Sequence, residues 1–189
     1  CCVKLLPLMF LSTLPMWATA QTYTPLALAL GGLNQDIIAE ATTAMARTSS
    51  SVDSNGAIAT VLFSDSFPHP STQAGLPNNG LLSATSGGAS FTYQLAAFNG
   101  NNALVTPAGQ TKTTTLASPT ALSNLSLLVF ATEQSKNATY TLTFEDGSTS
   151  VKPPTVVNDW YSSAAARISG YGRVVRNNDT NFTVQTNQK

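Results

Sequence analysis

A period-two alternation of apolar and polar side chains constrains this chain more than any other feature. Tyr140, Leu142 and Phe144 alternate with threonines at positions 139, 141 and 143, which is typical of a strand with one buried face. Asp146 and Gly147 follow directly, and this pair accepts the positive φ angles of a tight hairpin turn. Residues 138–151 are therefore predicted to form a β-hairpin.

Short strand-like runs separated by Gly, Asn, Ser and Pro continue through the chain after residue 20. Residues 125–131 are almost continuously apolar, which predicts a central strand buried on both faces. Residues 35–46 could place a few apolar side chains on one helical face, and we interpret them as one helical turn or a loop. This spacing predicts an all-β fold, an antiparallel β-sandwich or jelly roll. Further strands are predicted at residues 57–63, 90–95, 103–106 and 111–116.

The first twenty residues have the organisation of a secretory signal peptide. Lys4 precedes an apolar run of 13 residues from position 5 to 17, and Ala18 and Ala20 supply the small side chains of a cleavage site. The run is shorter than the ~20 residues that a membrane-spanning helix needs. We therefore expect cleavage after Ala20, no membrane span afterwards, and one β-sandwich domain at 21–189. Both cysteines lie in the segment predicted to be removed.

Charged residues are sparse and balanced. They make up 10% of the chain, nine basic against nine acidic, whereas an average soluble protein has ~25%. A net charge of zero lacks the basic surface of a nucleic-acid binder, so no nucleic-acid partner is expected. Without Lys4, eight basic residues face nine acidic ones, a net charge of about −1. Ser and Thr provide about a quarter of the residues, which fits the uncharged surface of a secreted or cell-surface β domain.

The inventory of reactive side chains argues against most catalytic sites. His69 is the single histidine, and the prolines on both sides of it predict an exposed loop. No cysteine follows residue 20 and no Gly-x-Ser-x-Gly motif occurs, so nucleophilic hydrolases and a structural zinc site are not supported. Residues 170–173, Gly-Tyr-Gly-Arg, are interpreted as the start of a strand. We therefore predict no catalytic residue and no cofactor, with structural calcium left open.

Two carboxylate-based alternatives remain open. A glycoside hydrolase would need two of the acids facing one cleft at a separation of ~5–10 Å. Calcium could be held by side-chain and backbone oxygens of residues 34–36 or 53–56. The acids considered for hydrolysis are Asp36, Asp53, Asp65 and Asp159.

A cluster of aromatic and charged residues near the C-terminus is the predicted ligand-binding site. It consists of Asp159, Trp160, Tyr161, Tyr171 and Arg173. Aromatic rings stack on the C–H faces of sugars, and Asp and Arg bind hydroxyl groups, so this composition suits a carbohydrate. The alternative is that Trp160 anchors the core, with Tyr171 packed beside it.

Several strings of this sequence resemble a secreted domain of Bacteroidetes surface proteins. Residues 23–25 and 33–40 look like its opening, residues 144–149 like its central hairpin, and residues 158–161 and 172–174 like its later signature. Strings similar to its middle are residues 75–80, 93–95 and 101–104. The resemblance implies an extracellular β-sandwich similar to the galactose-binding jelly rolls, with no enzymatic activity. It also implies further strands beyond Lys189, so that the domain at 21–189 is expected to be incomplete.

The function expected from these patterns is a non-catalytic extracellular module that binds carbohydrate or mediates adhesion. Its partners would be glycans or cell-surface polymers. A ligand-free structural spacer within a larger surface protein is the alternative, and a glycoside hydrolase ranks last.

Overall fold

The computed structural model describes residues 21–29, 31–40, 48–55, 58–69, 73–160, 168–177 and 182–184. These residues form twelve β-strands and no helix, so the predicted all-β class is confirmed. The predicted signal peptide at 1–20 lies outside the described residues. The strands are β1 Thr22–Tyr23, β2 Ile38–Ala39, β3 Asp53–Asn55, β4 Ile58–Phe63, β5 Leu81–Ser86, β6 Ala89–Gln94, β7 Lys136–Ala138, β8 Thr141–Thr143, β9 Thr149–Val151, β10 Thr155–Val157, β11 Arg173–Arg176 and β12 Phe182–Val184.

Strand β4 organises the largest sheet, which has five strands. β11 pairs antiparallel along one edge of β4 and continues the sheet to β12. The antiparallel β3 and the parallel β2 pair with different halves of β4. A single strand therefore connects segments that lie far apart in the sequence.

Three smaller sheets complete the described fold. β5 and β6 form a six-pair antiparallel hairpin, and β1 adds to β6 in parallel. β7 pairs with β10, and β8 and β9, which lie between them in the sequence, pair with each other. Two of the pairings, β1 with β6 and β2 with β4, are parallel, whereas the predicted sandwich or jelly roll is antiparallel. The arrangement of these sheets as a sandwich or jelly roll stays a prediction.

The two faces of the β4 sheet carry separate apolar clusters because neighbouring residues of a strand point to opposite faces. Val61 and Phe63 are fully buried on one face, where they pack with Val174 of β11. Leu62 points to the other face and packs against a second cluster that contains Ile38 of β2. The second cluster consists of Ile37, Ile38, Val52, Leu76 and Leu82, and half-buried side chains, Trp160 and Tyr171 among them, pack against it.

The hairpin predicted at residues 138–151 is confirmed. Its turn is closed by hydrogen bonds from the Phe144 amide to the Ser148 carbonyl (2.9 Å) and from the Gly147 amide to the Phe144 carbonyl (3.0 Å). Gly147 has a φ of 80°, a conformation that glycine adopts without steric cost. Tyr140 and Leu142 are half-buried as the alternation predicts, but Phe144 is exposed because it already belongs to the turn.

The predicted central strand at residues 125–131 is wrong. The segment pairs with no strand, and its large apolar side chains up to Phe130 are exposed. Its sequence is hydrophobic enough for a buried strand, but no strand of the described chain pairs with it.

Other strand predictions divide between successes and failures. Residues 57–63 and 90–95 correspond to β4 and β6. Residues 103–106 and 111–116 form only isolated bridges, at Ala103 and Leu116, because no strand-length partner lies alongside them. In the window 35–46, the described part contains β2, and residues 41–47 lie outside the described residues.

Gly75 lies where two backbone segments meet too closely for a side chain. A Cβ atom at this position would lie 2.5 Å from the Asp65 amide nitrogen and 2.6 Å from the Ser64 carbonyl oxygen. The Gly75 amide also donates a hydrogen bond of 2.8 Å to the Asp65 carboxylate. Only a hydrogen atom fits at this crossing.

We predict that Gly75→Ala destabilises the fold, because backbone atoms cannot yield as a flexible side chain does. Overpacking of this kind costs about 1–3 kcal/mol in the free energy of unfolding. Gly100→Ala is the matched control, since no atom lies within 4 Å of its Cβ position, and it should change stability by less than about 0.5 kcal/mol. Urea denaturation of both variants measures the difference, and equal stabilities would contradict the close crossing.

Candidate functional site

The register of the β4 sheet brings polar residues from three strands to one face. Asp53 of β3 lies opposite Thr60 of β4, and Arg173 of β11 lies opposite Leu62. Residues opposite each other in paired strands point to the same face, as do residues two apart along one strand. Asp53, Thr60, Leu62 and Arg173 therefore share the face on which Trp160 packs.

Trp160 is held over this face by its own backbone. The Trp160 amide donates to the Ala131 carbonyl (2.9 Å), and the Ala131 amide donates to the Asn158 carbonyl (2.9 Å). These two bonds form a parallel bridge between Ala131 and Asp159. The indole is thereby fixed three residues after the end of β10, next to Ala131.

The Trp160 ring contacts three side chains with different chemistry. The guanidinium carbon of Arg173 lies 5.1 Å from the ring centroid, within the range of a cation–π interaction. The indole Nε1 donates a hydrogen bond of 3.3 Å to Oδ2 of Asp53. The Phe130 ring is tilted at 35° to it, with centroids 6.1 Å apart. Trp160 is half-buried, and the group combines an aromatic ring with a cation and an anion.

Two buried polar atoms lie unpaired beside this group. Oδ1 of Asp53 and Oγ1 of Thr60 have no hydrogen-bond partner among the described residues. Thr60 is only 4% exposed, and the two residues lie directly opposite each other in the β3–β4 pair. An unsatisfied buried polar group costs about 1–3 kcal/mol. Two such unpaired groups therefore lie on adjacent strands, one of them on the residue that accepts the indole hydrogen bond of Trp160.

The structure brings some of the predicted site residues together. Trp160 and Arg173 are in direct contact, and Tyr171 packs against the same apolar cluster as Trp160. Asp159 is half-buried, and its amide donates to the Ser135 hydroxyl (3.1 Å). Tyr161 lies outside the described residues.

Sequence reasoning did not place Asp53, Thr60 or Phe130 in this site. Asp53 was considered only as a hydrolytic acid or a calcium ligand, and it is 107 residues away from Trp160 along the chain. Its position depends on strand pairing, and no local pattern in the sequence signals that.

In the first calcium candidate, residues 34–36, the Asn34 and Asp36 side chains form hydrogen bonds with other segments of the protein. Asn34 donates to the Val105 carbonyl (2.9 Å) and accepts from the Val105 amide (2.8 Å). Asp36 is buried and accepts a hydrogen bond of 2.6 Å from the Asn102 side chain. Among the described residues, no group of three or more His, Cys, Asp or Glu side chains is arranged to hold a metal ion. Gly56, the end of the second calcium candidate, lies outside those residues.

Asp65 and His69 each contact another segment of the fold. The Asp65 carboxylate accepts from the Gly75 amide, and this bond helps to close the Gly75 crossing. The His69 ring lies 4.9 Å from the Phe63 ring and is half-buried. The prediction of an exposed loop histidine is therefore wrong in its exposure, because the Phe63 ring covers one side.

Asp36 and Glu40 form an interacting pair of acids near β2. Burial raises the pKa of Glu40 to about 7, and the charge of Asp36 adds to this effect. Burial also raises the pKa of Asp36, although the hydrogen bond from Asn102 opposes the shift. The buried Oε2 of Glu40 has no hydrogen-bond partner in the described part of the chain. Between pH 4.5 and about 7, the folded protein therefore keeps a proton on Glu40 that the unfolded chain releases.

We predict that stability falls as the pH rises from about 4.5 to about 7. In this window the folded state binds more protons than the unfolded state, whose Glu40 has the ordinary value of 4.5, so raising the pH favours unfolding. Glu40→Gln removes the titration and should be more stable than the wild type at pH 8 by on the order of 1 kcal/mol, a figure reduced for the partial exposure of Glu40. Thermal unfolding at pH 4.5 and 8 measures this, and a parallel pH profile of both proteins would contradict it.

Comparisons with protein-family models, with curated proteins and with solved structures find no match to this chain. The resemblance to a Bacteroidetes surface domain accordingly stays a sequence-based prediction. The described residues contain no helix that is long and apolar enough to cross a membrane.

Proposed function

We propose that this chain is a non-catalytic, secreted or cell-surface module that binds carbohydrate through the group of Trp160, Arg173, Asp53 and Thr60. The half-buried indole supplies an aromatic surface for the C–H face of a sugar ring. Arg173 and Asp53 supply a donor and an acceptor for hydroxyl groups. The predicted signal peptide supports export, and it is part of the same proposal.

The unpaired atoms of Asp53 and Thr60 are the observation that carries this proposal. A carboxylate oxygen accepts a hydroxyl hydrogen, and a threonine hydroxyl both donates and accepts. Hydroxyl groups of a sugar ring stacked on Trp160 would supply the hydrogen-bond partners that both atoms lack. Binding would then recover the cost of the unsatisfied groups, about 1–3 kcal/mol for each.

A ligand-free spacer is the second candidate function, and the packing of Trp160 favours it. The indole packs against the cluster that contains Ile38 and Leu82, and Arg173 lies over its ring. A side chain with these contacts can serve as a core anchor without binding any ligand. Glycoside hydrolysis ranks behind both, because Asp36 and Asp65 are engaged in structural hydrogen bonds.

We predict that Thr60→Val separates the two leading functions. Valine has nearly the same shape, and it removes the unpaired buried hydroxyl, so the free energy of unfolding should rise by about 1 kcal/mol. If the site binds sugar, the same change should weaken binding about tenfold, which corresponds to 1.4 kcal/mol. Urea denaturation and titration with a glycan selected on a glycan array measure the two effects.

Glycan binding is then measured on the same array for three proteins: the wild type, Trp160→Ala and Phe144→Ala. Trp160→Ala should lose binding, whereas Phe144→Ala should retain it, since Phe144 is an exposed aromatic side chain at the hairpin turn and is not one of the proposed site residues. Circular dichroism shows whether each variant is folded. A folded wild type that binds no glycan or polysaccharide gel would reject the carbohydrate proposal and leave the spacer.

A further inference from the structure

Residues 125–130 form an exposed apolar segment whose backbone is unpaired. Within the described residues, no backbone-to-backbone hydrogen bond involves any residue from 121 to 130. The segment contains no turn or bend from 124 to 130. Its sequence, Leu-Ser-Leu-Leu-Val-Phe, has the length and composition of an ordinary strand. An unpaired strand of this kind is a template for pairing with another strand.

Two side chains anchor the apolar segment to the rest of the protein. Ser126 bonds with the Tyr93 hydroxyl (2.7 Å), and Phe130 packs beside Trp160. Leu125, Leu127, Leu128 and Val129 are 41%, 50%, 41% and 48% exposed. Four apolar side chains thus face solvent on a segment that is held in place by the other two.

The lack of charged residues around the apolar segment indicates which kind of partner could bind it. No charged residue occurs between Lys112 and Glu133, a stretch of 20 residues. A charged partner would therefore lose hydration here without gaining an ion pair. A complementary surface must itself be uncharged, apolar and of strand length, and the chain carries such a surface in this same segment. The net charge, zero for the whole chain and about −1 after the predicted cleavage, also means that two copies approach with little overall repulsion.

We propose that the apolar segment, residues 125–130, is a homodimer interface in which it pairs antiparallel with the same segment of a second copy. A two-fold axis near the middle of the segment makes the contact self-complementary and closed. Each segment gives the other its backbone hydrogen-bond partners, and the exposed leucines and Val129 pack across the axis. The proposal rests on the exposure of this segment and does not require sugar binding, although Phe130 also contacts Trp160.

Sedimentation velocity on the purified protein tests this at chain concentrations from about 1 to 100 µM, because dimerisation is concentration-dependent. The wild type should become dimeric within this range. Leu127→Lys should weaken the dimer by at least about tenfold, since it places two like charges across the axis. Val156→Lys is the matched control, a change of the same kind at a residue 60% exposed on β10, and it should leave the dimer intact.

Amide hydrogen exchange adds a second measurement. Residues 125–130 should exchange slowly in the wild-type dimer and rapidly in folded Leu127→Lys, while the exchange of β4 is the same in both. A wild type that stays monomeric at about 100 µM would overturn the proposal. A dimer that Leu127→Lys does not weaken, or a monomer whose 125–130 amides are already protected, would overturn it as well.

Discussion

The burial of β4 between two apolar clusters is the interaction on which the rest of the described structure depends. Val61 and Phe63 pack on one face, and Leu62 packs on the other. The strand also pairs with β2, β3 and β11. Because a buried backbone must have its hydrogen bonds satisfied, removing any of these neighbours would expose both apolar surface and unpaired peptide groups.

The candidate site is a direct consequence of that sheet. Asp53 and Arg173 belong to strands on opposite edges of β4, and the pairing register alone places them on the same face. Trp160 comes from outside the sheet and is located by its bridge to Ala131. Leu62 lies on the same face as the site and also packs against the apolar core. Substitutions at the site must therefore be tested for stability as well as for binding.

Local patterns in the sequence predicted the elements that local interactions determine. The Asp146-Gly147 hairpin was found because its alternation and its turn lie within one short stretch, and β4 was found because its own run is apolar. Strands β2 and β3 have only two and three residues, and pairing with β4 defines them. Trp160 and Arg173 were predicted together because they are close in sequence, whereas Asp53 and Thr60 were missed because β-pairing brings them there.

The failure at residues 125–131 shows what hydrophobicity does not specify. An apolar run indicates that a segment is stabilised by burial, but it does not indicate which surface buries it. In the described part of the chain Leu127 and Val129 face solvent, and the same sequence that suggested a central strand leads instead to the proposal of an interface between copies.

Amide hydrogen exchange followed by NMR at single-residue resolution tests the central role of β4 most directly. The amides of Leu62 and Ser64 donate to the carbonyls of Ile37 and Ala39, whereas the Lys152 amide donates to the Tyr140 carbonyl at the open end of the two-stranded β8–β9 hairpin. If β4 is the centre of the fold, the Leu62 and Ser64 amides exchange only when the whole protein unfolds. The Lys152 amide then exchanges much faster through local opening. Slow exchange at Lys152 together with fast exchange at Leu62 and Ser64 would contradict this description of the fold.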